Sequence, residues 1–154
     1  MNSPDTAYLQ SLENASRAMR GLLGVIISVE RRFGSEQSPL ALLRQITTDP
    51  EWAWLQPLYQ LIADIDHASH DGELPISEVA AIGSHAMALL SGVGVPIEEQ
   101  FLERYRALLQ TDPEVAIAHG AAMQALRKLP PEADTEAERL HARHQWAMRR
   151  KHQR

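Results

Sequence analysis

The chain has 154 residues, 44% hydrophobic and 23% charged, a length and balance that fit one globular domain. The absence of cysteine excludes disulfides, thiolate nucleophiles, iron–sulfur clusters and cysteine zinc sites, and it suits a reducing cytoplasm. The net charge of −5 divides unevenly: the first 138 residues hold nine bases against twenty acids, and the remainder holds six bases and no acid. An acidic body with a basic end is not expected to bind nucleic acid through the body. The longest apolar stretch, residues 21–29, is broken by glycines and a serine and is too short to span a bilayer. No charged segment followed by an apolar run opens the chain, so neither leader nor membrane anchor is expected.

Prolines after capping residues mark helix starts at Ser3-Pro4, Ser38-Pro39, Asp49-Pro50 and Asp112-Pro113. Glycines close segments at Gly34, Gly72 and Gly92. A first helix over 4–33 is predicted from Tyr8, Leu12, Ala15, Met19, Leu22, Leu23, Ile26 and Phe33 at helical spacing. Gly21 and Gly24 weaken it and point to a bend. A short helix over 39–46 follows. The next, over 50–69, carries Trp54, Leu55, Leu58, Leu61, Ile62 and Ile65 on one face, and Pro57 either kinks it or restarts it after Trp54.

Further helices are predicted over 75–90, over 96–109 with Ile97, Phe101, Tyr105 and Leu108 inward, and over 113–129. The last turns Ala118, Ala121, Ala122 and Ala125 inward, small residues that suit a tight helix pair within the core or across a dimer. After Pro130-Pro131, the capping box Thr135-x-x-Glu138 opens a terminal basic helix to about residue 151. No alternating run marks a strand. The expected fold is all-α, a single-domain bundle of about six helices over 1–130 with a basic helix or tail over 131–154.

Residues 67–78 resemble an EF-hand calcium loop, with Gly72 at the sharp turn and Glu78 at the twelfth position. His67 occupies the first position, where calcium requires an oxygen ligand, and no second loop pairs with it. An Asp-Gly helix stop followed by a Leu-Pro helix start explains the same residues. Asp64, Asp66, His67, His70 and Asp71 are metal-type ligands, but helical geometry splits them into two small sets. Asp66 and His70 fall on a flank below Trp52 and Tyr59. The single Glu138-x-x-His141 pair lies on the basic helix, whereas di-iron bundles need such pairs facing inward from two helices. No metal or other cofactor is expected.

Glu30 falls inside the apolar stripe of the first helix, and a buried carboxylate requires a partner. If Glu30, Asp66, Arg104 and His119 converge, they form a buried polar cluster able to hold a small ligand. Alternatively, Glu30 lies where the stripe leaves the core and pairs with a nearby arginine. The basic segment from Arg139 carries Leu140, Trp146 and Met148, which make no continuous stripe for membrane docking. It could bind phosphates, or lie on the acidic body of its own or a neighbouring subunit. Nucleophile elbows and phosphate-binding glycine loops are absent, and Gly92-Val-Gly94 lacks the lysine and the strand such a loop needs.

The stretch Asp49-Pro-Glu-Trp-Ala-Trp-Leu-Gln-Pro-Leu-Tyr-Gln-Leu-Ile-Ala-Asp-Ile-Asp66 and the stretch from Phe101 through Arg104-Tyr105, Leu109-Gln-Thr-Asp-Pro-Glu-Val115 and Ala118-His119 carry distinctive patterns. With Val29-Glu30-Arg31-Arg32, they resemble a group of uncharacterised bacterial helical proteins with WLxPLxxLI…ID and RYxxxLQxDPxV…AH segments. The resemblance covers roughly residues 20–126 and implies a bacterial, cytoplasmic origin, but it carries no functional residue with it. The expected function is a non-enzymatic protein-interaction or regulatory module, a homodimer binding a further protein. A small-ligand or divalent-metal bundle is the alternative, and nucleic-acid binding would fall to the tail alone.

Overall fold

The computed structural model describes residues 7–31, 50–71, 74–93 and 99–152. Among the described residues the fold is all-α and single-domain, with six α-helices, one 3-10 turn and no strand. The predicted helix over 39–46, the two Ser-Pro starts, Phe33, Gly34 and Gly72 lie outside them.

Helix α1, Ala7–Arg31, buries the predicted stripe from Tyr8 to Ile26 and adds Val29. The Tyr8 hydroxyl donates to the Leu74 carbonyl at 2.6 Å, tying the start of α1 to the entry of the third helix. α1 continues as one helix through Gly21 and Gly24, both exposed, with nothing within 4 Å of a Cβ at either position. Gly21→Ala and Gly24→Ala should therefore each stabilise the fold by about 0.5–1 kcal/mol, measurable by urea denaturation. A loss of stability in either variant would show that a second surface approaches this face.

The 3-10 turn Pro50–Leu55 leads into α2, Gln56–Asp71. Pro57 thus stands in the first turn of a new helix, where its missing N–H and fixed φ are tolerated. The chain restarts there. Helix α3, Ile76–Ser91, is the most deeply enclosed, burying Val79, Ala81, Ile82, Ala86, Leu89 and Leu90. It stops at Gly92, whose φ of 75° is left-handed and whose N–H donates to the Ala88 carbonyl at 2.7 Å.

Helix α4, Glu99–Thr111, buries Phe101 and Tyr105 completely. The Asp112 carboxylate caps α5, Pro113–Arg127, accepting from Glu114 N–H at 3.0 Å and Val115 N–H at 3.4 Å. The inward face of α5 is rotated from the predicted alanine face. Val115, Ala122 and Leu126 are buried, Ala118 and Ala125 are half-buried, and Ala121 is exposed. The larger aliphatic residues set this rotation, because burying Val115 and Leu126 removes more apolar surface than burying Ala121. The helix packs most extensively on α1, so the small residues serve a pairing inside the chain.

Helix α6, Glu136–His152, begins where Thr135 Oγ1 accepts from Glu138 N–H at 3.3 Å. It lies along α3 and buries Ala142 and Trp146. The basic segment is therefore packed on the acidic body of its own chain.

Candidate functional site

The four residues of the predicted polar cluster do not converge: Asp66, Arg104 and His119 each take a different partner. Asp66 accepts from Ser16 Oγ at 3.0 Å and pairs with Arg20 at 2.8 Å, while Arg20 also donates to Ser16 Oγ at 2.9 Å. Ser16 is a buried hydroxyl on α1, so this network joins α1 to α2. The Arg104 guanidinium lies over the Trp54 ring, 5.5 Å from its centroid. Glu30 is half-buried near the described end of α1. Tyr59 is half-buried against the core, and the Trp52 side chain lies outside the described residues.

His119 meets Tyr105 instead, with the phenol oxygen 2.6 Å from Nδ1. Burial pushes the Tyr105 phenol above its ordinary range, and burial together with the Arg127 charge lowers the His119 pKa. The phenol and the imidazole thus share one hydrogen bond between two groups whose neutral forms are favoured. This pair ends a run of rings: Trp54 to Phe101 at 6.1 Å, Phe101 to Tyr105 stacked at 5.2 Å, and Tyr105 to His119 at 5.7 Å. The run ties the 3-10 turn to α4 and α5. It gives Arg104 and His119 structural partners.

The calcium-loop residues are also dispersed. Glu78 stands in the first turn of α3, 2% exposed, and receives Nε and Nη2 of Arg149 at 3.1 and 3.0 Å. His70 Nδ1 lies 2.7 Å from the Asp66 carbonyl, which can only accept, so that nitrogen carries the proton. His67 is exposed, and the Asp71 side chain lies outside the described residues. Among the described residues no three His, Asp or Glu side chains gather at metal-binding spacing.

Two adjoining grooves open on the side formed by α3, α5 and α6. The first, about 620 Å³, is lined mainly by apolar groups, including Met87, Val93, Met123, Leu126 and Leu129. Gly83 lets its floor close, since a Cβ there would lie 3.0 Å from Leu129 Cδ1. Exposed Arg127 stands at one side, and at another Glu132 receives Arg143 through two bonds of 2.7 and 3.0 Å. Burial works to raise the Glu132 pKa, but hydrogen bonds from Arg143 and Ser84 and the nearby arginine charges hold it below its ordinary value.

The second groove, about 430 Å³, is bounded by Gln60, His85, Arg143, Trp146, Ala147, Arg150 and Lys151. Arg143 is common to both. Arg150 is held by Asp64 at 2.9 Å, by Gln60 Oε1 at 3.2 Å and by the Trp146 ring, 5.4 Å to its centroid. His85 meets Trp146 edge-on at 5.2 Å, and burial, followed by the charges of Arg150 and Arg143, lowers its pKa.

These contacts also occupy most of the tail's positive charge. Arg149 and Arg150 pair with carboxylates of the bundle, Arg143 pairs with Glu132 just before α6, and Arg139 donates to the carbonyls of Ala133 and Asp134 at 2.9 and 3.0 Å. Cations held by separate partners present no continuous row of charge to an extended polyanion backbone.

No protein-family model, curated protein or solved structure matches the chain. Sequence reading missed Ser16, Arg20, Tyr105 and Arg149 as partners. The one available signal was that Asp66, Glu78 and His119 each sat on a helix whose neighbouring positions are buried. No described helix is long and apolar enough to cross a membrane.

Proposed function

We propose that the chain is a non-enzymatic protein-interaction module that receives an acidic amphipathic helix of a partner protein between α3 and α5. The open apolar groove of about 620 Å³ supports this reading. Its two methionines, Met87 and Met123, are half-buried and can repack around varied apolar side chains. Val93 is 72% exposed at its edge, a large apolar group with water to lose on docking. Arg127 at the rim offers a cation to an acidic residue flanking the partner's apolar face. Apolar contact provides the affinity, and the rim charge sets orientation.

Selection from a displayed library of amphipathic helical peptides tests this directly. Enriched peptides should carry apolar residues at three- and four-residue spacing with acids beside them, and Met123→Glu should weaken their binding at least about tenfold. Arg127→Glu should shift the preference toward basic flanks. Failure to enrich any helix, or binding indifferent to both substitutions, would overturn the reading. Enrichment of a small amphipathic carboxylate in a parallel compound screen, without any helix, would do so as well.

A further inference from the structure

We propose that the second groove, between α2, α3 and α6, is a binding site for the phosphate group of a small phosphate monoester. Every charged side chain lining it is a cation: Arg143, Arg150 and Lys151. Gln60 and His85 add amide and imidazole N–H donors, and Trp146 supplies a flat apolar wall. Among the described residues no carboxylate lines this groove. Glu132, the partner of Arg143, lines the neighbouring groove, and Asp64 holds Arg150 without lining either.

That arrangement orients both guanidinium groups before a ligand arrives. Glu132 engages Nε and Nη2 of Arg143, so its other amino group is not used by that carboxylate. Arg150 donates Nη2 to the Gln60 amide oxygen, lies over the Trp146 ring and ion-pairs with Asp64 by proximity, Nε and Oδ2 lying 2.9 Å apart without hydrogen-bond geometry; its side chain is 24% exposed. A guanidinium held in place loses little rotamer freedom on binding an oxyanion, and its planar fork matches phosphate geometry. A volume of about 430 Å³ exceeds a bare phosphate and suits a small phosphorylated molecule whose organic part rests on Trp146. Burial is the larger cause of the lowered His85 pKa, and the charges of Arg150 and Arg143 add to it, so an anion in the groove would meet those two cations beside the imidazole.

Titration of the full chain with inorganic phosphate and with phenyl phosphate, followed by calorimetry and by the NMR signals of His85, tests the site. Both ligands should bind, phenyl phosphate the more tightly, and each should raise the His85 pKa, because the added negative charge offsets the arginines. Lys151→Glu and His85→Gln disturb none of the four ion pairs described above and should fold normally; Lys151→Glu should weaken phosphate binding roughly tenfold or more. Sodium chloride at matched ionic strength should leave the His85 pKa almost unmoved. An equal chloride effect, or wild-type phosphate affinity in both variants, would overturn the proposal. Because this groove is distinct from the apolar one, either outcome leaves the helix-docking reading to its own test.

Discussion

Arg149→Met should destabilise the protein by about 3 kcal/mol or more, whereas Glu78→Gln should cost about half as much. The asymmetry follows from exposure. The Glu78 side chain is 3% exposed and that of Arg149 is 43% exposed, although they form one bidentate pair. Removing the arginine strands a carboxylate that water cannot reach, which leaves a buried charge without its counter-ion. Removing the charge of Glu78 instead leaves a cation that can turn to solvent, while the amide keeps the packing. For a chain of this length, 3 kcal/mol corresponds to a fall in Tm of roughly 6–12 °C, readable in a thermal melt. Equal losses in the two variants, or a larger loss for Glu78→Gln, would show that burial of the carboxylate does not depend on Arg149.

The second large effect belongs to Trp54. It is 1% exposed, packs against Phe101, and begins the run of rings that ends at His119. Trp54→Ala should cost about 3–5 kcal/mol, because it removes a large, fully buried side chain and leaves a cavity that helices cannot fully close. Arg104→Ala should cost under about 1 kcal/mol, since Arg104 is exposed and its guanidinium only caps the ring at 5.5 Å. Urea denaturation of the two variants separates the effects. A loss from Arg104→Ala comparable to that from Trp54→Ala would give the cation a larger role than the ring contact explains. The comparison also bears on the site, because it distinguishes a core aromatic run from a polar cluster built around Arg104 and His119.

The α-helices were legible because their determinants are local. Tyr8, Leu12, Ala15, Met19, Leu22 and Ile26 recur every three or four residues, and a helix with that stripe has one face to bury. The Asp112 and Thr135 caps act within three residues of themselves. The candidate polar cluster was less legible, since its members were chosen for standing near apolar faces. Such a choice says that a partner is needed without saying which. Asp66 finds Ser16 and Arg20, 50 and 46 residues away, and Glu78 finds Arg149 at a separation of 71. Even the rotation of α5 escaped the alanine pattern, because it depends on what Val115 and Leu126 can bury against other helices.

The sequence by itself determined the fold class, the helix starts at Asp112 and Thr135, the stop at Gly92 and the stripe of α1. Each of these rests on interactions between residues at most four positions apart, whose energies do not require the rest of the chain. Only the tertiary structure decided that the basic helix lies on α3, that Glu78 is neutralised by Arg149, and that two grooves meet at Arg143. Those outcomes depend on which helices come together. A charge drawn out of water accepts whichever counter-ion the packing brings within about 3 Å, and chain order does not encode that distance.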